Sequence, residues 1–562
     1  MPNRSRALTT VRVVFWVLAV VLGVLHAWVY RHYMNPDGVS YLDQADAWFR
    51  GDWSMAVNAW WSPGYPWLLG LAMRVFRPGP CWEFALAHMV TLVTYVAALG
   101  AFEFLLREVL HLHREHAEVA SARGEALLPD WILALVGYVL FLWSSLCLIP
   151  LYLITPDMAV AAITYLACAM LLRIRRGRRS TWAFALLGLI LGVGYLMKAP
   201  MLPLSIVFLG VAAFSAGAWR RTAPKLLMAL AVLALVSMPF VMALSASKGR
   251  MTFGDSGRVN YAWWVNDVPE FIHWQGGPPG SGDPLHPTRQ VMDRPAVYSF
   301  AQPVGGTYPA WYDPSYWYEG VRPHFAAAGQ ARAIWRSLRE YGRMQLKGLQ
   351  AALVAGVLVL VLLSGRRCLR ATRGVLRSWT LLVPAGAGLL MFMPVLVRSR
   401  YVGQFVALVW LGLYAGVSVP NARRRVACAV ALAVVTLMLV VIVWDSVVTT
   451  EWLLSGSDDH FHCRMAEDLE AMGVRPGDPV AVVGSAFSAY WARVLRVQIV
   501  AEMPEVEDLD LLMSDPDFRK RLMMTLRRAG AKAVVINCTI EKTPPGWTPL
   551  AHSGGRAARM LD

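Results

Sequence analysis

Charge is scarce in this chain. Only 16% of its 562 residues are Asp, Glu, Lys or Arg, where a soluble protein carries roughly a quarter. That deficit excludes an ordinary water-exposed globule. Acid is the scarcer sign, with 37 Asp and Glu against 53 Lys and Arg and a net charge of +16. A basic excess of that size would suit nucleic acid, but the basic residues do not build one face. They sit in short clusters between apolar runs, at Arg173 to Arg179, Arg220 to Lys225, Arg366 to Arg377 and Arg423 to Arg425. Cytoplasmic loops of membrane proteins collect Lys and Arg in this way, so nucleic acid is excluded as a partner. Cysteine is sparse too: seven residues and no CxxC pair, which leaves a zinc site of that type without support. His273, His286 and His324 have no metal-ligand spacing. GxGxxG and GxxxxGK[ST] are both missing, so no nucleotide motif is present.

Apolar residues fill the space that charge leaves. They make up 57% of the chain, and the mean hydropathy is +0.44. A membrane-crossing helix needs about 20 apolar residues. Runs of that kind recur at 11–30, 84–106, 130–150, 156–173, 181–197, 200–217, 225–245, 345–363, 378–397, 401–418 and 426–444. The expected fold is therefore a polytopic α-helical membrane protein with about eleven spans. The first run follows Arg4, Arg6 and Arg12 but is long for a signal peptide, and no small-x-small cleavage site precedes His32. It is expected to stay as a span. With the N-terminus inside, every basic cluster falls on the cytoplasmic side.

Three regions then lie outside together: the loop 31–83, the long loop 246–344 and the segment from 450 onward. The expected division is a membrane domain, 1–449, and a soluble unit, 450–562. The long loop is rich in aromatics, as at Tyr308 to Tyr318, and is too apolar for a disordered linker. Packing is the favoured use of those rings, ahead of stacking on sugars. The C-terminal segment alternates helices at 462–473, 488–495 and 515–529 with strands at 479–483, 497–501 and 533–537, which predicts a small α/β unit. Cys463 and Cys538 both lie in it and form a candidate disulfide, although spacing alone does not give the geometry.

The first outer loop carries the densest chemistry. It reads Asn35-Pro36-Asp37-Gly38-Val39-Ser40-Tyr41 and continues through Trp60-Trp61-Ser62-Pro63-Gly64-Tyr65-Pro66-Trp67-Leu68-Leu69-Gly70. Tyr41 to Phe49 and Pro66 to Phe76 predict two short amphipathic helices lying at the interface. An acidic residue just after the first span, two interfacial helices and a Pro-aromatic-Leu-Leu-Gly run resemble the membrane glycosyltransferases of the GT-C superfamily. Protein O-mannosyltransferases and the aminoarabinose transferases of lipid A are the most similar branches. The Thr155-Pro156-Asp157 turn and the Arg398-Ser399-Arg400-Tyr401 turn fit the same pattern. The resemblance covers most of 1–444 and leaves the C-terminal unit unmatched.

The resemblance implies a GT-C-like membrane domain and a polyprenyl-phosphate sugar donor in the lipid phase. The sugar passes with inversion to an acceptor on the outer face of a bacterial-type inner membrane. A hydroxyl acceptor needs a base within hydrogen-bond reach, and Asp37 matches the family's acidic position. The leaving phosphate needs positive charge or a divalent metal. Lys198, Arg398 and Arg400 are the candidate phosphate contacts. Asp157 is a second candidate catalytic carboxylate, to orient the acceptor, bind a cation or pair with a base. Tyr41 and Tyr401 are candidate substrate contacts. The chain departs from the family at Trp61-Ser62-Pro63-Gly64, where many relatives carry Lys before a Pro pair.

Each of these residues has a plainer reading. Asp37 can cap a helix, and Asp157 can cap the span it precedes. Lys198 can snorkel, and Arg398 and Arg400 can anchor a helix end. Asp43, Asp46 and Asp52 are expected to be solvated or capping. Glu83 and Glu103 carry less weight, at a boundary and near an inner end. The competing functions are a lipid or solute transporter and a non-catalytic envelope assembly protein. A transporter predicts midspan polar groups and paired broken helices, and neither stands out here.

Overall fold

In the computed structural model the described residues are 2–271, 273–300, 303–365, 374–455, 460–505 and 509–561. The part of the third basic cluster from Arg366 to Arg373 lies outside them. The first helix, α1 (Pro2–Val29), is followed by α2 (Pro36–Arg50), a single turn α3 (Trp53–Ala56) and α4 (Gly64–Phe76). Pro36 opens α2 with a fixed φ, and Gly51 closes it in the left-handed region at φ 75°. The next helix, α5 (Glu83–Ser121), has 39 residues and so extends about 58 Å. A two-residue strand β1 (Glu125–Ala126) precedes α6 (Asp130–Leu142), which runs on as a π turn through Leu148.

Then come α7 (Asp157–Arg175), α8 (Thr181–Met197), α9 (Met201–Ala216) and α10 (Trp219–Lys248). Small residues bring these helices close: a Cβ on Gly188 would stand 2.2 Å from the Ala229 carbonyl oxygen. This is the close approach that small residues permit in lipid, where the hydrophobic effect does not drive helices together. The long loop holds α11 (Ser256–Val265), β2 (Arg289–Met292), β3 (Val297–Ser299), α12 (Pro309–Tyr312), α13 (Pro314–Trp317) and α14 (Ala327–Leu346). Four more apolar helices follow: α15 (Ala351–Ser364), α16 (Trp379–Phe392), α17 (Ser399–Gly416) and α18 (Arg424–Leu454), with β4 (Val419–Pro420) pairing back to β1.

Every expected span is thus a helix, but fewer of them are full-length spans. Among the described residues six helices are long and apolar enough to cross a membrane, or seven if α14 and α15, bent by 87°, form one span. α8, α9 and α16 are shorter apolar helices. Their reduced length has a local cause: α8 stops before Lys198, and Met197, Met391 and Phe392 at the ends of α8 and α16 line a cavity. A helix that ends on a cavity does not need to reach the headgroups.

Basic clusters gather at one end of the bundle. Arg176 pairs with Glu108 at 2.8 Å and Glu115 at 3.2 Å. Arg175 donates to the Arg377 carbonyl, Lys225 to the Arg179 carbonyl, and Arg423 to the Leu363 carbonyl at 2.8 Å. Glu103 belongs there as well, held by Arg12 at 3.3 Å, Arg107 at 2.7 Å and the Tyr138 hydroxyl. α7 starts at Asp157 and ends at Arg175. Its 19 residues set the two ends about 28 Å apart.

The C-terminal segment forms α19 (Phe461–Ala471), β5 (Pro479–Val483), α20 (Trp491–Val494), β6 (Gln498–Met503), α21 (Leu509–Ser514), α22 (Pro516–Arg528), β7 (Ala533–Ile536), β8 (Thr548–Leu550) and β9 (Arg556–Met560). One seven-stranded sheet has the order β2-β3-β6-β5-β7-β9-β8. β5 runs parallel to β6 and β7, and the outer pairings are antiparallel. Two of its strands, β2 and β3, come from the long loop. Pleating sends alternate residues to opposite faces. Val480, Val482, Ile499 and Val535 pack with the aromatic loop and with α2 and α4. Ala481, Val483, Val534 and Ile536 pack with α22.

That alternation corrects the disulfide. Cys463, on α19, shares the first face and is bonded to Cys81, with Cα atoms 5.6 Å apart. Cys538 packs against the other face and is a free thiol. The aromatic loop residues form a packed cluster, as favoured above: Trp60, Trp61, Trp263, Trp311, Trp317 and Tyr318 contact one another.

Candidate active site

Two polar ties bring the first and second outer turns together. The Asn35 side chain accepts from the Ile154 amide at 2.8 Å. His88 on α5 reaches the Tyr33 carbonyl at 2.9 Å and the Leu151 carbonyl at 3.3 Å. Asp37, in the first turn of α2, thereby faces Asp157, the first residue of α7. Neither carboxylate caps its own helix: no side-chain cap bond exists at either start. Both face Arg400, from the first turn of α17. Its guanidinium lies 2.9 Å from Asp37 Oδ2 and 3.7 Å from Asp157 Oδ2.

The two carboxylates are not equivalent. Asp157 is buried, and both its oxygens are taken: Oδ1 by the Lys198 ammonium, Oδ2 by Thr155 Oγ1 at 3.0 Å and by Arg400. Asp37 is half-buried, and its only partner among the described residues is Arg400 on Oδ2, which leaves Oδ1 free. Lys198 sits 3.9 Å over the Tyr401 ring, and Arg400 lies 5.2 Å from it, both within cation–π range. Tyr41 is buried against Trp61 and Tyr65. Burial, with the charges of Asp37 and Asp157 nearby, holds its hydroxyl far above the ordinary tyrosine range, so it acts only as a neutral group.

These side chains line one cavity of about 460 Å³. Its lining includes the polar Asp37, Asp157, Lys198, Arg258 and Arg400. It also includes the apolar Met197, Pro200, Pro203, Phe392, Val395 and Leu396. Lys198 and Arg400 face the two carboxylates, and the Arg258 guanidinium donates to the Val321 carbonyl. Arg258, on α11, is a lining residue that sequence reasoning missed. It comes from the long loop, which carries no family motif, and its only signal is a lone Arg beside an aromatic run. Trp61 and Ser62 also line the cavity.

Arg398 departs from expectation. It does not line this cavity but a second one, beside Trp264. The reason is backbone geometry. Arg398 precedes α17 in an extended conformation, and residues two apart at a helix start do not face the same way. Arg398 and Arg400 therefore diverge.

Asp43, Asp46 and Glu83 also depart from expectation, while Asp52 caps α3 as expected. Arg493, fully buried, donates to Asp43 at 2.8 Å, Asp46 at 2.7 Å and Glu83 at 3.0 Å. Arg496 pairs with Asp46 at 2.7 Å and with Glu83. Burial pushes the Asp46 carboxyl up, but the two guanidiniums outweigh it and hold the group below its ordinary value. α2, the helix of Asp37, is thus clamped to the C-terminal unit by a buried ion network. His273 pairs with Glu502 and His286 with Glu319. Among the described residues no three His, Cys, Asp or Glu side chains converge on a metal-binding geometry. The cavity's carboxylates already carry basic partners, so the donor set does not fit a divalent ion.

No protein-family model and no curated protein matches the chain. Solved structures do. ArnT from Cupriavidus metallidurans in the apo state is 14% identical, with 97% of each chain covered and a TM-score of 0.47. The same protein bound to undecaprenyl phosphate is 13% identical, with 97% of each chain covered and a TM-score of 0.47. The Archaeoglobus fulgidus oligosaccharyltransferase, in complex with zinc and sulfate, is 11% identical, with 93% of this chain and 67% of that chain covered and a TM-score of 0.45.

Proposed function

We propose that the protein is a membrane glycosyltransferase that takes a hexosyl or pentosyl group from a polyprenyl-phosphate donor. The observation that carries this reading is the asymmetry of the two carboxylates in a cavity lined by both cationic and apolar side chains. Asp157, with both oxygens bonded, fixes Lys198 and Arg400. Asp37, with Oδ1 open, is the base. The acceptor hydroxyl gives its proton to Asp37 as its oxygen bonds to the anomeric carbon. The bond from that carbon to the phosphate oxygen breaks on the opposite side, and polyprenyl phosphate leaves with the electron pair. A phosphodiester becomes a phosphomonoester, so one further negative charge develops. Lys198 and Arg400 would stabilise it, the largest kind of catalytic term, with Arg258 in the same lining as a further source of positive charge. Arg258 supplies the cation that Trp61-Ser62 lacks, and Tyr401 orients Lys198 through its ring. The apolar lining suits the first isoprene units.

In this reading residues 1–449 form the membrane domain and 450–562 an α/β unit on the extracytoplasmic face, joined by β2 and β3 of the long loop. The membrane is a bacterial-type inner membrane with the N-terminus cytoplasmic. The test uses purified full-length protein, radiolabelled polyprenyl-phosphate sugars and a membrane extract as the source of acceptor. Wild type transfers label, and Asp37→Asn lowers the rate by about 10²- to 10⁴-fold, the usual worth of a general base. Equal rates for the two proteins would remove Asp37 from the chemistry.

A further inference from the structure

α14 carries Arg332, Arg336, Arg339 and Arg343. Steps of four, three and four residues put them on one stripe of a helix. Arg332 pairs with Asp267. The other three line an open cavity of about 220 Å³ together with Arg398, Trp264 and Glu340. The guanidiniums of Arg336 and Arg398 lie 5.0 and 5.5 Å from the same Trp264 ring. Glu340 stands 3.7 Å from Arg343. Among the described residues, Arg336, Arg339 and Arg398 have no carboxylate within ion-pair distance. Glu270 is close enough to feel Arg398 and Arg336, but its Oε2 is buried without a partner. The Trp264 indole nitrogen is likewise buried without an acceptor. Like charges gathered on one indole repel unless an anion lies among them.

We propose that Arg336, Arg339, Arg343 and Arg398 bind the phosphate of an anionic membrane lipid, at a site separate from the Asp37 cavity. The helix itself argues for a lipid as the source. α14 meets the apolar α15 at 87°, so it lies across the direction of that segment. Trp335, Leu338 and Leu346 are 64%, 47% and 63% exposed along the flank of the basic stripe. A basic stripe beside exposed Trp and Leu is the pattern of a helix lying in the headgroup layer. Clustered arginines there attract acidic headgroups. Leu396 lines both cavities, so a lipid seated here abuts the wall of the Asp37 cavity.

The test uses delipidated full-length protein in neutral detergent, with bound lipid counted by native mass spectrometry. Wild type takes up phosphatidylglycerol in preference to phosphatidylcholine. The combined Arg336→Gln, Arg339→Gln and Arg398→Gln variant loses phosphatidylglycerol affinity by on the order of a hundredfold and keeps its phosphatidylcholine binding. The single Arg339→Gln variant, at an exposed position, shows a smaller loss in the same direction and guards against misfolding of the triple variant. Equal affinity for the two lipids, or phosphatidylglycerol binding unchanged in both variants, would overturn the proposal. Full displacement of the lipid by millimolar inorganic phosphate would overturn the lipid as the ligand and assign the site to free phosphate.

Discussion

His462 shows how one half-buried group sets a pH response. Its ring packs against Tyr490 at 5.2 Å and Phe84 at 6.3 Å, and its Nδ1 is sealed without a partner. Burial, with Arg556 adding to it, pulls the imidazole down to about 4 from 6.5. An unfolded chain takes up the proton near 6.5, while the folded one refuses it until about 4. The unfolded state therefore binds more protons across that window. Stability is full above pH 6.5 and falls as pH drops toward 4, by roughly 2–3 kcal/mol at most. Thermal unfolding of wild type and His462→Phe at pH 7.5 and 4.5 measures this. Wild type should lose more of its midpoint on acidification, and parallel losses would remove His462 from the account. At this scale the grouping of side chains in one cavity was partly legible. Asp37, Asp157, Lys198, Arg400 and Tyr401 could be read because short motifs flank them at membrane exits. The direction of Arg398 could not, because it depends on one extended residue before a helix. Nor could Arg493, whose acidic partners lie more than 400 positions away in the chain.

At the scale of elements, α2 couples the cavity to the C-terminal unit. Asp43 lies less than two turns after Asp37 on the same helix and accepts from Arg493, from the Thr307 amide at 2.7 Å and from Thr307 Oγ1 at 2.9 Å. Arg496 takes φ 59°, a left-handed backbone uncommon for a residue with a side chain and held here within the clamp. Removing one member of a buried ion network leaves charges uncompensated, at a cost of about 3–5 kcal/mol. Arg493→Met should therefore lower the unfolding midpoint of the full chain and, under the proposed function, slow sugar transfer, because the helix bearing Asp37 loses its anchor. Arg493→Lys keeps the charge but not the fork of donors, and should fall between. A midpoint for Arg493→Met equal to wild type would show that the clamp is not stabilising. The helices were legible because long apolar runs and interfacial Trp-rich periods are local signals. The strands β5, β6 and β7 were legible as short apolar runs between helices. β2 and β3 were not: with four and three residues they are too short for alternation to register, and pairing to β6 across the chain makes them strands.

For the whole molecule, charge and redox chemistry make one joint prediction. The basic clusters lie at the end of α7 remote from Asp157, and such clusters mark the cytoplasmic side. The Cys81–Cys463 bond lies on the other side, tying the turn before α5 to α19. Disulfides persist in oxidising compartments and are rare in the cytosol. Both observations therefore predict that the cavity, the aromatic loop and the sheet lie outside. The charge pattern was readable directly, since it needs only the order of residues. The bond was not, since Cys81 and Cys463 are 382 residues apart and meet only once the sheet face is chosen. In intact cells, a membrane-impermeant maleimide should leave Cys81 unlabelled in wild type and label it in Cys463→Ser, where the half-buried Cys81 is freed. A cysteine placed at Arg178 should react only after permeabilisation. Reversed labelling would invert the orientation and move the proposed chemistry to the cytoplasmic face. Labelling of Cys81 in wild type before reduction would mean that the bond is open. In that case the clamp of Arg493 and Arg496, with the packed aromatic cluster, would hold the C-terminal unit over α2 without a covalent tie.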